Sequence, residues 1–415
     1  MARKISMKLI PALMLVAFSG AASASGFQLL EQNASGIGNA YAGSAAVAEN
    51  ASTIYYNPAG MTQLQDREIS GGISAVSPSF KFHNQGSSVG AFNTAGDGGN
   101  AGGLSFIPNG YLSWALNKDL YVGLGLGAPF GLKTEYDNPW VGAAQATLFE
   151  VKTYNINPSI AYRVNDKVSL GFGVNWQRLD ATYKRQFAIG GGGQAVPIKL
   201  TLDDDAWGWN AGALFTLSPS TKVGISYRSA MQYHTTGDLY ANNVKANDAK
   251  AEIKLPDTAI LSVTQQLSDK WQMLGDISWT GWSSIPRVDI MNATTGNPTP
   301  TQTLDTDFRN TWRVALGANY KLNDAWKLKY GVAYDQTPVK RAETRLVSLP
   351  DNDRVWLSFG AQWAPDKASR LDFGVTYIFV RDSKIDNNQP PQRGRVTGEY
   401  TGNIWLLGAQ YSMSF

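Results

Sequence analysis

The amino-acid sequence predicts an all-β fold: a 14-stranded antiparallel transmembrane β-barrel preceded by a segment of different character. Three observations lead to it. Strand-length stretches alternate strictly, as where Trp326, Leu328, Tyr330, Val332 and Tyr334 interleave with Lys327, Lys329, Gly331, Ala333 and Asp335, so that one face suits lipid and the other water. Turn signals divide the chain evenly, and short ones take turns with long ones. Trp and Tyr recur at the ends of the apolar faces, where interfacial girdles sit. A soluble antiparallel sandwich alternates too, but it has no use for aromatic girdles.

Residues 1–24 read as a secretory signal peptide: Arg3, Lys4 and Lys8 give a basic start, Leu9 to Phe18 an apolar centre, and Ala22-Ser23-Ala24 a small-residue cleavage site. Its loss removes three of the 36 basic residues and no acid, leaving 33 Lys and Arg against 33 Asp and Glu. A near-neutral chain offers no charge to nucleic acid. Cysteine is absent and there are two histidines, which leaves no disulfide framework, no thiol chemistry and too few soft ligands for zinc or copper. No cofactor or metal is expected. Mean hydropathy is below zero and no later apolar run could cross a bilayer as a helix, which still leaves a barrel open, since its strands show lipid only alternate residues.

Residues 25–66 stand apart from the wall. They are dense in Ala, Gly, Ser and Asn, with isolated apolar side chains such as Phe27, Leu29, Ile37 and Ile54, and hold no alternation for long. Such a stretch can fill a space but cannot span a membrane. Asn57-Pro58-Ala59 is a helix-start signal, with Asn57 as N-cap and Pro58 at the first helical position, or else a short turn.

Residues 67–415 read as barrel. Six short turns, around Asn117, Asn165, Pro219, Ser268, Asn323 and Asp366, alternate with seven longer links, among them Ser87 to Gly103, Gly190 to Gly193 and Asn292 to Thr301. That count requires about fourteen strands with both ends of the wall on the periplasmic side. The last strand alternates from Trp405 to a terminal Phe415 and resembles the signal that outer-membrane proteins present to the barrel assembly machinery. The expected location is therefore the outer membrane of a Gram-negative bacterium.

Motifs that could carry chemistry are few. Gly123, Gly125 and Gly127 have G-x-G-x-G spacing without a following helix, so they read as lumen-lining positions rather than a dinucleotide site. The Gly190 to Gly193 run lacks the Lys and Ser/Thr of a phosphate loop, and neither His83 nor His234 has a Ser partner in view. No enzyme is expected. Pro129 removes a ladder donor just after the lipid-facing Leu120, Val122, Leu124 and Leu126, which implies either a break in the third strand or its end near the rim.

Several stretches in order, Gly26-Phe27-Gln28-Leu29, Ser35 to Gly43, Asn57-Pro58-Ala59, Ala128-Pro129-Phe130-Gly131-Leu132, Asn157 to Tyr162 and Leu349 to Arg354, resemble the FadL family of outer-membrane transporters for long-chain fatty acids and other hydrophobic compounds. The resemblance implies a barrel plugged by an amino-terminal hatch, passive uptake, and an exit through a lateral opening at the third strand. It makes Phe27 and Leu29 candidates for pocket lining, Asn57, Pro58 and Ala59 for holding the hatch, and Gly127, Ala128, Pro129, Phe130 and Gly131 for the opening. A ligand carboxylate would want an inward cation, and Arg313, Lys327 and Lys329 face inward on the alternation. The expected partners are a long-chain fatty acid or other hydrophobic small molecule, outer-membrane lipid and lipopolysaccharide, with the chain acting as a monomer. An aromatic-hydrocarbon transporter of the same superfamily, a general hydrophilic porin, and a barrel whose outer loops do the work remain alternatives.

Overall fold

The computed structural model describes residues 26–189, 194–389 and 393–415. The expected signal peptide and the Gly190 to Gly193 run lie outside the described residues. Fourteen antiparallel strands form the wall: β1 (Arg67–Asn84), β2 (Ser105–Ala115), β3 (Leu120–Gly127, then Gly131–Glu135), β4 (Leu148–Asn165), β5 (Val168–Ile189), β6 (Gln194–Ser218) and β7 (Thr221–Arg228, then Met231–Ala241). They continue with β8 (Val244–Leu255, then Thr258–Gln266), β9 (Trp271–Thr280, then Arg287–Asn292), β10 (Gln302–Asp305, then Thr311–Lys321), β11 (Trp326–Asp335), β12 (Arg354–Trp363), β13 (Ser369–Asn388) and β14 (Arg395–Ser414). Neighbours in sequence are neighbours in the wall, and β14 closes on β1 from Glu68↔Ser414 to Asn84↔Gly398. Closure removes the sheet edge, which lets ladder amides and carbonyls pair without water.

The alternation decides which face is which. On β10, Trp312, Val314 and Leu316 are 56%, 44% and 57% exposed, whereas Arg313 and Ala315 are 5% and 1% exposed and point into the lumen. Four of the six short turns share one local device: Asn117, Asn165, Asn323 and Asp366 each accept two backbone N–H groups just downstream, as at Asn323, which takes Ala325 at 2.9 Å and Trp326 at 2.8 Å.

At the other end two strand pairs run on toward their links. The stretch around Arg185 to Asp205 is strand, since β5 and β6 stay paired up to Ile189↔Gln194. The link after Ala241 is a hairpin whose turn is only Asn242-Asn243, both at positive φ (51° and 63°), the backbone that suits a two-residue turn between twisted strands.

The segment before β1 contains only short helical turns, Ile37–Asn39, Thr53–Tyr56 and Pro58–Gln63. It runs around the inside of the wall against the order of the strands. Ala34 N–H donates to Gln410 on β14, Thr376 on β13 donates to Ile37 O, and Gly38 packs on Gly360 of β12. Asn39 then bonds Tyr330 O on β11, Ala40 O accepts from Arg313 on β10, and Ser44 bonds Asp276 on β9. Ala45 meets Ser262 of β8 and Gly224 of β7, Asn57 reaches Ala213 O on β6, and Thr62 bonds Ser169 on β5. Contacts of Ala51 with Glu68, Gln32 with Tyr111, Met61 with Gly123 and Thr62 with Arg163 bring in β1 to β4. Wall glycines make this close fit possible. A Cβ at Gly331 would lie 2.2 Å from Asn39 C, and one at Gly224 would lie 1.9 Å from Ala45 O.

Candidate functional site: an apolar pocket behind a broken strand

An apolar cavity of about 90 Å³ lies in the upper lumen. Phe149 and Val151 of β4, Leu179 of β5, Leu200 and Leu202 of β6, Ile253 and Leu255 of β8, Val288 and Ile290 of β9, and Phe308 beside β10 line it, with Phe27 from the amino-terminal segment. Of the three hydroxyls in the lining, Thr306 donates to Ile285 O at 2.6 Å and Tyr183 donates to Gln145 O, and the surface that faces the cavity, beside Ser348 as elsewhere, is almost wholly apolar. The pocket can hold hydrocarbon but gives it no directional polar contact.

Phe27 is fixed by aromatic edges, with ring centroids 4.9 Å from Trp282 and 6.0 Å from Phe130. Gly26 before it has φ +66°, and a Cβ there would sit 2.7 Å from the Trp282 ring, so only glycine fits. Its N–H donates to Asp351 Oδ2 at 3.0 Å, and Asp351 also takes the Thr337 hydroxyl and pairs with Arg354.

The third strand is broken from Ala128 to Phe130. Pairing of β2 with β3 ends at Gly110↔Leu126, so Ser105 to Asn109 of β2 keep only β1 as a neighbour while Gly131–Glu135 keep only β4. The gap between β2 and β3 is occupied from inside. Leu29 N–H donates to Pro129 O at 2.7 Å and Gly131 N–H donates to Phe27 O at 2.8 Å, which makes Gln28 and Phe130 an antiparallel bridge. Gln32 completes the closure with its side chain: Nε2 donates to Ala128 O at 2.7 Å and Oε1 accepts from Ala128 N at 3.0 Å. On the wall side, Thr153 bonds both the N–H and the C=O of Phe130.

The candidate residues therefore separate. Gly127 to Gly131 all lie at the break, and Phe27 lines the pocket. Leu29 does not line it; it is buried in the packing around Tyr41 and Tyr56. Asn57, Pro58 and Ala59 are also away from the pocket. The Asn57 side chain caps a 3-10 helix by accepting from Ala59 N–H at 3.1 Å and donates to Ala45 O at 2.7 Å and Ala213 O at 3.0 Å, with Gly171 and Gly212 giving room on the wall. The three inward cations face the lumen but are already engaged by the segment. Lys327 and Lys329 hold Glu49 at 2.5 and 2.8 Å, Lys329 also holds Asp372 at 2.9 Å, and Arg313 donates to Ala40 O at 2.6 Å. They tie the segment to the wall, and a ligand carboxylate would have to compete with these partners. Gln32, Thr153, Trp282 and Asp351 were not singled out from the sequence, because each acts on a residue far away in the chain.

Comparison with known proteins follows the geometry. The family model described as outer membrane protein transport protein (OMPP1/FadL/TodX) matches residues 15–415. The chain is 30% identical to Outer membrane protein P1 of Haemophilus influenzae, over 99% of this chain and 100% of that one, and 26% identical to the long-chain fatty acid transport protein of Escherichia coli K12, over 94% of each. Among solved structures, a Pseudomonas aeruginosa FadL homologue superposes with a TM-score of 0.87 at 22% identity, covering 94% of this chain and all of that one. The Ralstonia pickettii toluene transporter TbuX gives 0.68 at 17% identity, covering 93% and 100%. These two show a shared fold. A family match over nearly the whole length, on a closed 14-stranded barrel, establishes the kinship: the chain belongs to the outer-membrane transport proteins of the OMPP1/FadL/TodX family.

Proposed function

We propose that the protein is a channel for passive uptake of hydrophobic molecules, with long-chain fatty acids as its substrates, and that the break in β3 is the lateral exit. Its family consists of outer-membrane transporters of hydrophobic compounds, and named relatives are fatty-acid transport proteins. The observation that carries the mechanism is the double role of Phe27, whose ring lines the apolar pocket while its carbonyl holds Gly131 at the break. A ligand that fills the pocket pushes on the strip that closes the wall. Uptake then needs the ligand to bind the pocket better with the strip displaced than with it docked. Leaving sideways into the membrane spares the chain an exit into water, which would cost about 0.8 kcal/mol per CH₂. In this reading residues 25–66 are the hatch, and Asn57, Pro58 and Ala59 keep its body in place while the Gly26 to Gln32 strip moves.

The test is uptake of a radiolabelled long-chain fatty acid by cells lacking their own transporter, with a small hydrophilic solute run in parallel. Fatty-acid uptake without solute leakage is expected. Leakage alone would make the protein a porin. An aromatic hydrocarbon taken up in place of the fatty acid would move the substrate to the other branch of the family, for which a pocket without polar contacts is equally suited.

A further inference from the structure

The wall has a second break, between β8 and β9. Their lower parts pair up to Thr258↔Thr280, and pairing resumes only at Lys250↔Met291 and Ala249↔Asn292. Between those points β8 spends seven residues (251–257) and β9 spends ten (281–290), so β9 bows away by three. The bow is pinned by Gly281 N–H on Asp257 O at 2.9 Å and by Ser284 Oγ on Lys254 O at 3.0 Å. Between these points the two strands share no ladder pairing, and only the side chains of the bow, among them the buried Trp282 and Ile285, close this window in the wall.

The two faces of the window differ in chemistry. Inward, Ile253, Leu255, Val288 and Ile290 belong to the apolar pocket; outward, Lys250, Lys254 and Arg287 belong to a groove of about 710 Å³. Ile285 lines both, so pocket and groove meet there. Arg287 is neutralised by Asp289 at 2.9 Å and Glu252 faces His234 at 3.7 Å, whereas Lys250 and Lys254 make no ion pair among the described residues. The groove begins just beyond Trp279 and Trp312, which bound the lipid-facing band, and so stands at headgroup height.

We propose that this window is the portal through which an amphipathic carboxylate reaches the pocket from the outer face of the barrel, with Lys254 holding the carboxylate while the chain passes Ile285. The proposal deepens the reading of the protein as a fatty-acid channel and rests on it. It divides the ligand as the surfaces are divided: the charged end stays in a wet groove with an unpaired ammonium, and only hydrocarbon enters a pocket that offers no polar partner. The portal also touches the strip at the other break. Gln28, whose backbone bridges Phe130, donates its amide to Thr258 at 2.9 Å and accepts from Thr280 at 3.1 Å, the last paired residues below the window. Trp282, inside the bow, packs on Phe27 and lies 6.3 Å from Phe130.

The test uses the full-length protein in cells lacking their own transporter and compares oleate with toluene. Lys254→Glu should raise the oleate concentration for half-maximal uptake about tenfold, as expected for losing one charge-assisted contact, and leave toluene uptake unchanged. Lys254→Cys gives the cysteine-free chain a single thiol. Modification with an aminoethyl thiosulfonate should restore oleate uptake, and modification with a sulfonatoethyl reagent should not. Wild-type-like oleate uptake by Lys254→Glu, or equal rescue by both reagents, overturns the portal while the channel reading stands. Wild-type protein that takes up no oleate overturns both.

Discussion

The two breaks in the wall are closed by different means. At the first break the interrupted stretch of β3 is bonded from inside by Phe27, Leu29 and the Gln32 side chain, a separate segment of the chain. Between β8 and β9 the bow is held by two hydrogen bonds within the wall itself, and its window faces a groove. The difference teaches which break can be gated. A gap filled by a separate segment opens when that segment leaves, whereas a gap stapled by its own strands stays as it is. The proposed gate is therefore the first break, while the second, joined to the same strip through Gln28 and Trp282, is the proposed way in.

The most severe way to test this contrast is to delete residues 26–64. The first gap then loses its filling and the lumen its plug, and conductance to small hydrophilic solutes should rise from near background to that of an open pore in liposome swelling. An unchanged leak would sink the plug assignment. A second experiment shuts the first gap and leaves the other alone. Gln28 and Phe130 face each other as a non-hydrogen-bonded antiparallel pair, for which Cα atoms are about 4.5 Å apart, within reach of a disulfide. Gln28→Cys with Phe130→Cys should abolish fatty-acid uptake when oxidised, keep ligand binding, and recover uptake on adding reductant; full transport in the oxidised form would place the exit elsewhere.

Smaller effects sharpen the distinction between strip and hatch body. Lys329→Met leaves Asp372 without its cation and Glu49 with one in place of two, all inside the lumen, and should lower stability by about 3–5 kcal/mol, read as a shift of the denaturation midpoint. Asn57→Ala removes one cap and two hydrogen bonds to backbone carbonyls, and should cost about 1–2 kcal/mol with at most a slight leak. A large loss of uptake from Asn57→Ala, with the leak unchanged, would show that the body moves along with the strip.

Much of the wall could be read directly. Strict alternation on β10 and β11, and Asn or Asp at the short turns, are local signals that no distant contact has to complete. The long outer hairpins could not be read so easily, because above the lipid neither face of β5, β6, β7 or β8 has to be apolar and the alternation fades into polar sequence. Pro129 signalled an interruption, but what fills it is paired from about a hundred residues upstream, and no spacing rule links Gln32 to Ala128. Arg313, Lys327 and Lys329 were legible as inward cations. Their partners Ala40 and Glu49 lie more than 270 residues away, so a ligand role and an anchoring role look alike in sequence. Phe27 and Leu29 looked equivalent as apolar side chains flanking Gln28, and only the fold puts one in the pocket and the other in the packing beside it.

The counter-running path of the segment around the wall has a consequence for assembly. The residues that leave the ribosome first are those whose landing sites are made last: Ala34 waits for Gln410, 376 residues later, and Ile37 for Thr376. Contacts of such long range form slowly, because a loop of nearly the whole chain must close before they give anything back. The strands nearest the carboxy terminus therefore decide when the interior is filled, and a barrel that has not yet joined β14 to β1 still has the segment that begins at Gly26 free to be handled by whatever machinery folds it.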